Sequence, residues 1–109
     1  MTKIREKQEI VDKIMTIYVL WLISKNISNH GYAIIKQMRA DGFYRIGASH
    51  IYPLLEKLEK RGYIKGKIHG KRKTYSISEK GERLLEKAKK WMRKGKKIEF
   101  FREVVMDER

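Results

Sequence analysis

A chain of 109 residues has room for one domain with a single core. It contains no cysteine, which excludes a disulfide framework and any thiolate metal site and fits a reducing compartment. Its 27 Lys and Arg against 13 Asp and Glu give a net charge of +14, well beyond the modest balance usual for a small soluble domain, so a polyanion is the expected partner.

The first element expected is a helix over Lys7–Lys25, with Ile10, Ile14, Ile17, Tyr18 and Trp21 on one face and Val11, Met15, Val19 and Leu22 on a second. A helix apolar on two sides must be buried on two sides. One side can rest on its own core; the other needs a further surface, most simply a second copy of the chain. The run Ile14 to Ile23, broken only by Thr16, is about half the roughly 20 residues needed to cross a bilayer, so no membrane contact is expected. Met1 to Lys13 is dense in charges of both signs, unlike a secretory leader, and a cytoplasmic location is expected.

Asn26 to Asn29 is a polar break in which Ser28 or Asn29 can cap a second helix carrying Tyr32, Ile35 and Met38. Asp41-Gly42 ends that helix, Phe43 to Ile46 has the alternation of a short strand, and Gly47 to Ser49 turn into a third helix over 48–61. On this helix Ile51, Leu54, Leu55 and Leu58 converge on a core side, while Ser49, His50, Pro53, Lys57, Lys60 and Arg61 share the adjacent polar side. Pro53 is expected near the first turn, where backbone donors still lack partners. Tyr52 lies off the polar face, where core packing and a phosphate contact are both open to it.

Gly62 suits the position just past the helix end. Strands are expected over Tyr63–Ile68 and Lys73–Ile77, with Ile64, Ile68, Tyr75 and Ile77 available to the core and Gly70 turning the chain between them. The connecting turn, His69-Gly70-Lys71-Arg72-Lys73, holds cations with no acidic neighbour in sequence. Residues 57 to 73 contain eight cations and one acid, so half of the net charge sits on the end of one helix and the following hairpin. After Ser78, a suitable cap, the pattern stays helical to about Met106, with Leu84, Ala88, Trp91, Ile98 and Val105 at near-heptad spacing. The stripe weakens at Gly95 and Arg102, and Gly95 is a place for a bend.

Helix, turn, helix, then a basic hairpin is the order of a winged helix-turn-helix, a mainly α fold with a small β-hairpin. The expected organisation is a DNA-binding domain over 1–78, including the N-terminal helix, and a dimerisation helix over 79–109. In such a fold the helix over 48–61 enters the major groove of double-stranded DNA. Ser49 and His50 are then placed for base edges or nearby phosphates. Lys71 and Arg72, with His69 beside them, would reach the adjacent minor groove or its flanking phosphates, and Lys73 would act as a point charge.

Three segments carry a more specific resemblance: His30-Gly31-Tyr32-Ala33-Ile34; Ile51-Tyr52-Pro53-Leu54-Leu55 with Leu58-Glu59 and Gly62; and Arg72-Lys73-Thr74-Tyr75-Ser76-Ile77-Ser78 with Gly81. In order and spacing they resemble the PadR family of transcriptional regulators. The resemblance implies a winged-helix homodimer, usually a repressor, with Tyr52-Pro53 on the recognition helix and Lys71-Arg72 in the wing. It also implies that the C-terminal region packs with the first helix across the dimer, through Ile14, Tyr18, Trp21, Leu84, Ala88, Trp91, Ile98 and Val105. Some members sense small hydrophobic or aromatic molecules, and Trp21 and Trp91 could line such a pocket, although core packing accounts for both more simply. The family commonly has Gly where Ser49 stands and often Thr where His50 stands, so operator preference does not transfer.

His30, His50 and His69 lie on separate elements without metal-ligand spacing, and no phosphate loop, nucleophile elbow or apolar carboxylate pair is present. No cofactor and no enzymatic activity are expected. An architectural protein coating DNA with little sequence preference, a winged helix that binds an acidic protein, and a C-terminal helix folded back on its own domain are the competing readings.

Overall fold

The computed structural model describes residues 2–93, with side chains described from Asp12 onward. Four helices and one hairpin follow in order: α1 (Thr2–Ser24), α2 (Gly31–Ala40), α3 (Ala48–Lys60), β1 (Ile64–His69), β2 (Arg72–Ile77) and α4 (Glu79–Met92). The strands form a two-stranded antiparallel sheet in which Ile64 pairs with Ile77 and His69 with Arg72, leaving Gly70-Lys71 as the connection. This is the winged helix-turn-helix: α2 and α3 are its helix pair and the hairpin is its wing.

Three helices stop by the same device. The Ile27 N–H reaches the Leu22 carbonyl at 3.0 Å and Asn26 reaches Ile23 at 3.1 Å; Phe43 to Met38 at 2.9 Å and Gly42 to Arg39 at 3.2 Å repeat the pattern, as do Tyr63 to Leu58 at 2.9 Å and Gly62 to Glu59 at 3.0 Å. Each pair satisfies carbonyls left open by the last turn, and each needs one residue in the left-handed region. Asn26, Gly42 and Gly62 supply it at φ 56, 106 and 81°.

The core is built from Val19, Leu20 and Leu22 of α1, Ile34 and Met38 of α2, Ile51 and Leu55 of α3 and Ile64 of β1, all fully buried. α4 contributes Leu85 and packs against α1 and β2. Its start is tied to the end of α3 by polar contacts. The Ser78 hydroxyl accepts from the Gly81 N–H at 3.1 Å and donates to the Gly62 carbonyl at 2.5 Å, while Lys80 Nζ donates to the Arg61 carbonyl at 2.6 Å from above the Tyr63 ring.

Several expectations are corrected. α1 begins at Thr2 rather than Lys7, since nothing between them breaks a helix. His30, not Ser28 or Asn29, precedes α2, and its side chain makes no cap bond; the Asn29 carbonyl instead accepts the Tyr75 N–H at 2.8 Å, so the polar break docks β2. Phe43–Ile46 is not a strand: the Phe43 N–H closes the end of α2 and the Ile46 N–H returns to Phe43, leaving neither for a ladder. Pro53 lies inside α3, which starts at Ala48, so Pro53 has no N–H to give the Ser49 carbonyl one turn back. Ile68 is 72% exposed, because the core covers only the base of the hairpin. The expected continuation past Met92, with Gly95, Ile98, Arg102 and Val105, lies outside the described residues.

Candidate nucleic-acid interface

The polar side of α3 faces outward. Ser49, His50, Pro53, Lys57 and Lys60 are exposed, as is Arg61 at the cap, while Ile51, Leu55 and Leu58 on the opposite side are buried and Leu54 is packed against the core. Pro53, Lys57, Lys60 and Arg61, joined by Glu56, line one open groove. At the wing, His69, Lys71, Arg72 and Lys73 are all exposed, with Lys71 in the two-residue turn beside Gly70 at φ 62°. A positive φ at the first of two turn residues is what a tight hairpin of this hand requires, and glycine adopts it without strain.

Tyr52 is half exposed and its ring lies over the first residue of α2: a Cβ on Gly31 would sit 2.4 Å from Tyr52 Cε1. The absence of a side chain at Gly31 therefore lets α3 close onto the start of α2, with the Tyr52 ring between them. Arg72 reaches the same neighbourhood. Burial holds the His30 imidazole below its ordinary value, and the Arg72 charge pushes it further in that direction.

Lys73 departs from its expected role as a free point charge. Its Nζ is 2.7 Å from Glu59 Oε1 and 5.5 Å from the centre of the Tyr75 ring. The Glu59 hydrogen bond raises the Lys73 pKa, opposed by desolvation. Of the eight cations between Lys57 and Lys73, it alone forms an ion pair among the described residues. Glu59 was visible in the sequence as the single acid of that basic run, and Gly66 as a glycine inside a strand, a common mark of close approach.

The apolar face of α1 has a mixed fate. Ile14 is half-buried; Tyr18 packs against the core, its hydroxyl donates to the Asp41 carboxylate that also accepts from Gln37, and its ring lies 5.1 Å from Phe43 and 6.0 Å from Trp21. Leu84 packs against the core of its own chain and Ala88 is half-buried. Trp21 and Trp91 are 37% and 50% exposed, so the simpler expectation of core packing fails for both. No helix among the described residues is long and apolar enough to cross a membrane, and no described cluster of His, Asp and Glu could hold a metal ion.

Comparison with known proteins places this geometry among regulators. The chain is 28% identical to a Streptococcus transcriptional regulator of known structure, over 85% of this chain and 96% of that one, with a TM-score of 0.70. A PadR-like transcriptional regulator from Bacillus cereus is 26% identical over 78% and 82% of the two chains, at a TM-score of 0.63. A regulator from Clostridium thermocellum is 27% identical over 92% and 96%, at 0.62. Comparison with curated proteins gave no significant match. The model of the transcriptional regulator PadR-like family matches residues 19–87, from the last turns of α1 through α2, α3 and the hairpin into α4, and the chain belongs to that family of DNA-binding transcriptional regulators.

Proposed function

We propose that the protein is a sequence-specific repressor that binds an inverted-repeat operator as a homodimer. The helix over 48–61 lies in the major groove and the wing over 69–73 meets the adjacent minor groove or its phosphates. One observation carries this reading: seven of the eight cations between Lys57 and Lys73 are exposed and without a described ion pair, on the outer side of α3 and on the hairpin. A fold does not need so many unmatched charges in so small an area, and neutralising phosphates with them releases counterions. Ser49 and His50, at the N-terminal end of the exposed face, are the residues that discriminate sequence, and Lys57, Lys60, Arg61, Lys71 and Arg72 supply general attraction. Tyr52 and Pro53 shape the middle of the reading surface, with His69 at the edge of the wing turn.

Dimerisation joins two such surfaces. The exposed parts of Ile14, Tyr18 and Trp21 on α1 and of Ala88 and Trp91 on α4 offer an apolar face next to packed helices, and Ile98 and Val105 would extend it. An aromatic effector would be accommodated between Trp21 and Trp91 at that interface. Selection of bound fragments from randomised duplex DNA tests the whole reading. The expected product is an inverted repeat with half-site centres about 34 Å apart or a multiple of that spacing. Selected fragments that bind no tighter than random duplex at physiological salt would refute it, because specific binders discriminate by about 10³ or more.

A further inference from the structure

Recognition by α3 and the wing together requires that two separate elements meet one duplex at a fixed separation, and a single carboxylate ties them. Glu59 stands in the last turn of α3. Its Oε1 accepts from Lys73 Nζ of β2 at 2.7 Å, and its Oε2 accepts from the Gly66 N–H of β1 at 3.2 Å. Gly66 and Tyr75 are opposite each other in the ladder. Both turn their N–H groups away from the partner strand, Gly66 to Glu59 and Tyr75 to the Asn29 carbonyl at 2.8 Å, as a non-hydrogen-bonded antiparallel pair does. The hairpin is thus held on both outer edges at the same level, by α3 on one side and by the α1–α2 connection on the other. A two-stranded hairpin has little stability alone, so these ties decide where it stands.

Gly66 makes the tie possible. A Cβ there would lie 2.3 Å from Lys73 Cε and 2.7 Å from Glu59 Oε2, so the two side chains meet over the space that the glycine leaves. The Lys73 ammonium also stands over the Tyr75 ring, 5.5 Å from its centre, a second contact that helps to hold it beside Glu59.

We infer that Glu59, Gly66 and Lys73 form a latch that sets the spacing between recognition helix and wing, and that Lys73 is a positioning residue rather than a phosphate contact. The inference rests on the DNA-binding reading above. The pair is partly exposed, 41% for Lys73 and 32% for Glu59, so its contribution to folding is small and its effect is geometric. Because its charge is already matched, Lys73 releases no counterion from DNA, whereas Lys71 and Arg72 do.

The test compares the salt dependence of binding for wild type, Lys71→Met, Lys73→Met, Lys73→Arg and Glu59→Gln, on a selected duplex and on random duplex. Lys71→Met should lower the slope of log K against log salt by about 0.9, the value of one phosphate contact. Lys73→Met should leave the slope unchanged and reduce the preference for the selected duplex several-fold, and Lys73→Arg should restore that preference. Glu59→Gln should free Lys73, steepening the slope by up to about 0.9 while preference falls. In the free protein, Glu59→Gln should speed hydrogen exchange of the Gly66 amide and leave that of Tyr75 unchanged, a readout that needs no DNA. Loss of the same slope in Lys73→Met as in Lys71→Met, or a Gly66 amide indifferent to Glu59→Gln, would overturn the latch. Absence of DNA binding by the wild type would overturn the DNA-binding reading instead, whatever the amide does.

Discussion

Replacing Gly81 with alanine tests how tightly the wing base, the end of α3 and the start of α4 are joined. Helix propensity alone favours alanine by about 1 kcal/mol. The surroundings oppose it. The new Cβ would stand 2.2 Å from the Tyr63 carbonyl oxygen, 3.2 Å from the Tyr63 carbonyl carbon and 2.7 Å from Ile77 Cγ1. The Tyr63 carbonyl cannot swing aside freely, because it accepts the Ser78 N–H at 3.0 Å and follows directly on the glycine that ends α3. α4 has to move, and with it the 3.1 Å bond from the Gly81 N–H to Ser78 Oγ. Overpacking of this kind costs about 1–3 kcal/mol and loss of a helix cap about 1 kcal/mol, so the net effect is destabilisation by about 1–3 kcal/mol. In a domain of this size that lowers Tm by roughly 5–20 °C. Thermal unfolding followed by far-UV circular dichroism at fixed protein concentration measures it. An alanine variant as stable as the parent, or more stable, would refute the close approach of α4 to Tyr63.

His50→Ala should change the preference among duplex sequences while leaving affinity for random duplex nearly intact; equal losses on every sequence, measured by competition binding, would contradict its reading role. Trp91→Asp should give monomers in analytical sedimentation, since a carboxylate cannot be buried unpaired at an apolar interface. The His30 pKa lies below 6.5 in the folded chain, so the unfolded chain takes up the proton first as the solution is acidified. Its contribution to stability is therefore fully present above about pH 6.5 and is lost as pH falls through the folded value. Urea midpoints at pH 7.5 and 5.5 should differ less for His30→Gln than for wild type, and a larger difference in the variant would reverse the sign.

The parts of the fold that are legible in the sequence are those set by local chemistry. The buried side of α3 follows from the spacing of Ile51, Leu55 and Leu58, and the end of that helix from Gly62, whose left-handed φ only a glycine takes readily. Gly70 as the turning residue and the Ser78 cap belong to the same class, although the pairing of His69 with Arg72 shortens the expected four-residue connection to Gly70-Lys71. What escaped depends on residues far apart in the chain. Phe43 to Ile46 alternates like a strand, yet its backbone groups serve the end of α2. Asn29 looks like a cap, and its carbonyl is instead taken by a strand that arrives 46 residues later. Lys73 reads as one more cation in a basic run until Glu59, fourteen residues earlier, is seen to meet it across Gly66. Counting charges along the chain could show that one acid was out of place, but not which cation it had claimed.

The anchoring of both hairpin edges also bears on self-association. An exposed two-stranded sheet ordinarily offers rows of unpaired backbone groups to any extended segment that drifts past, and an apolar residue such as Ile68 at its open end would encourage docking. Here the outward N–H at the middle of each edge is already committed, Gly66 to a carboxylate and Tyr75 to a carbonyl. A foreign strand adding to either side would have to break one of those bonds before completing its own ladder.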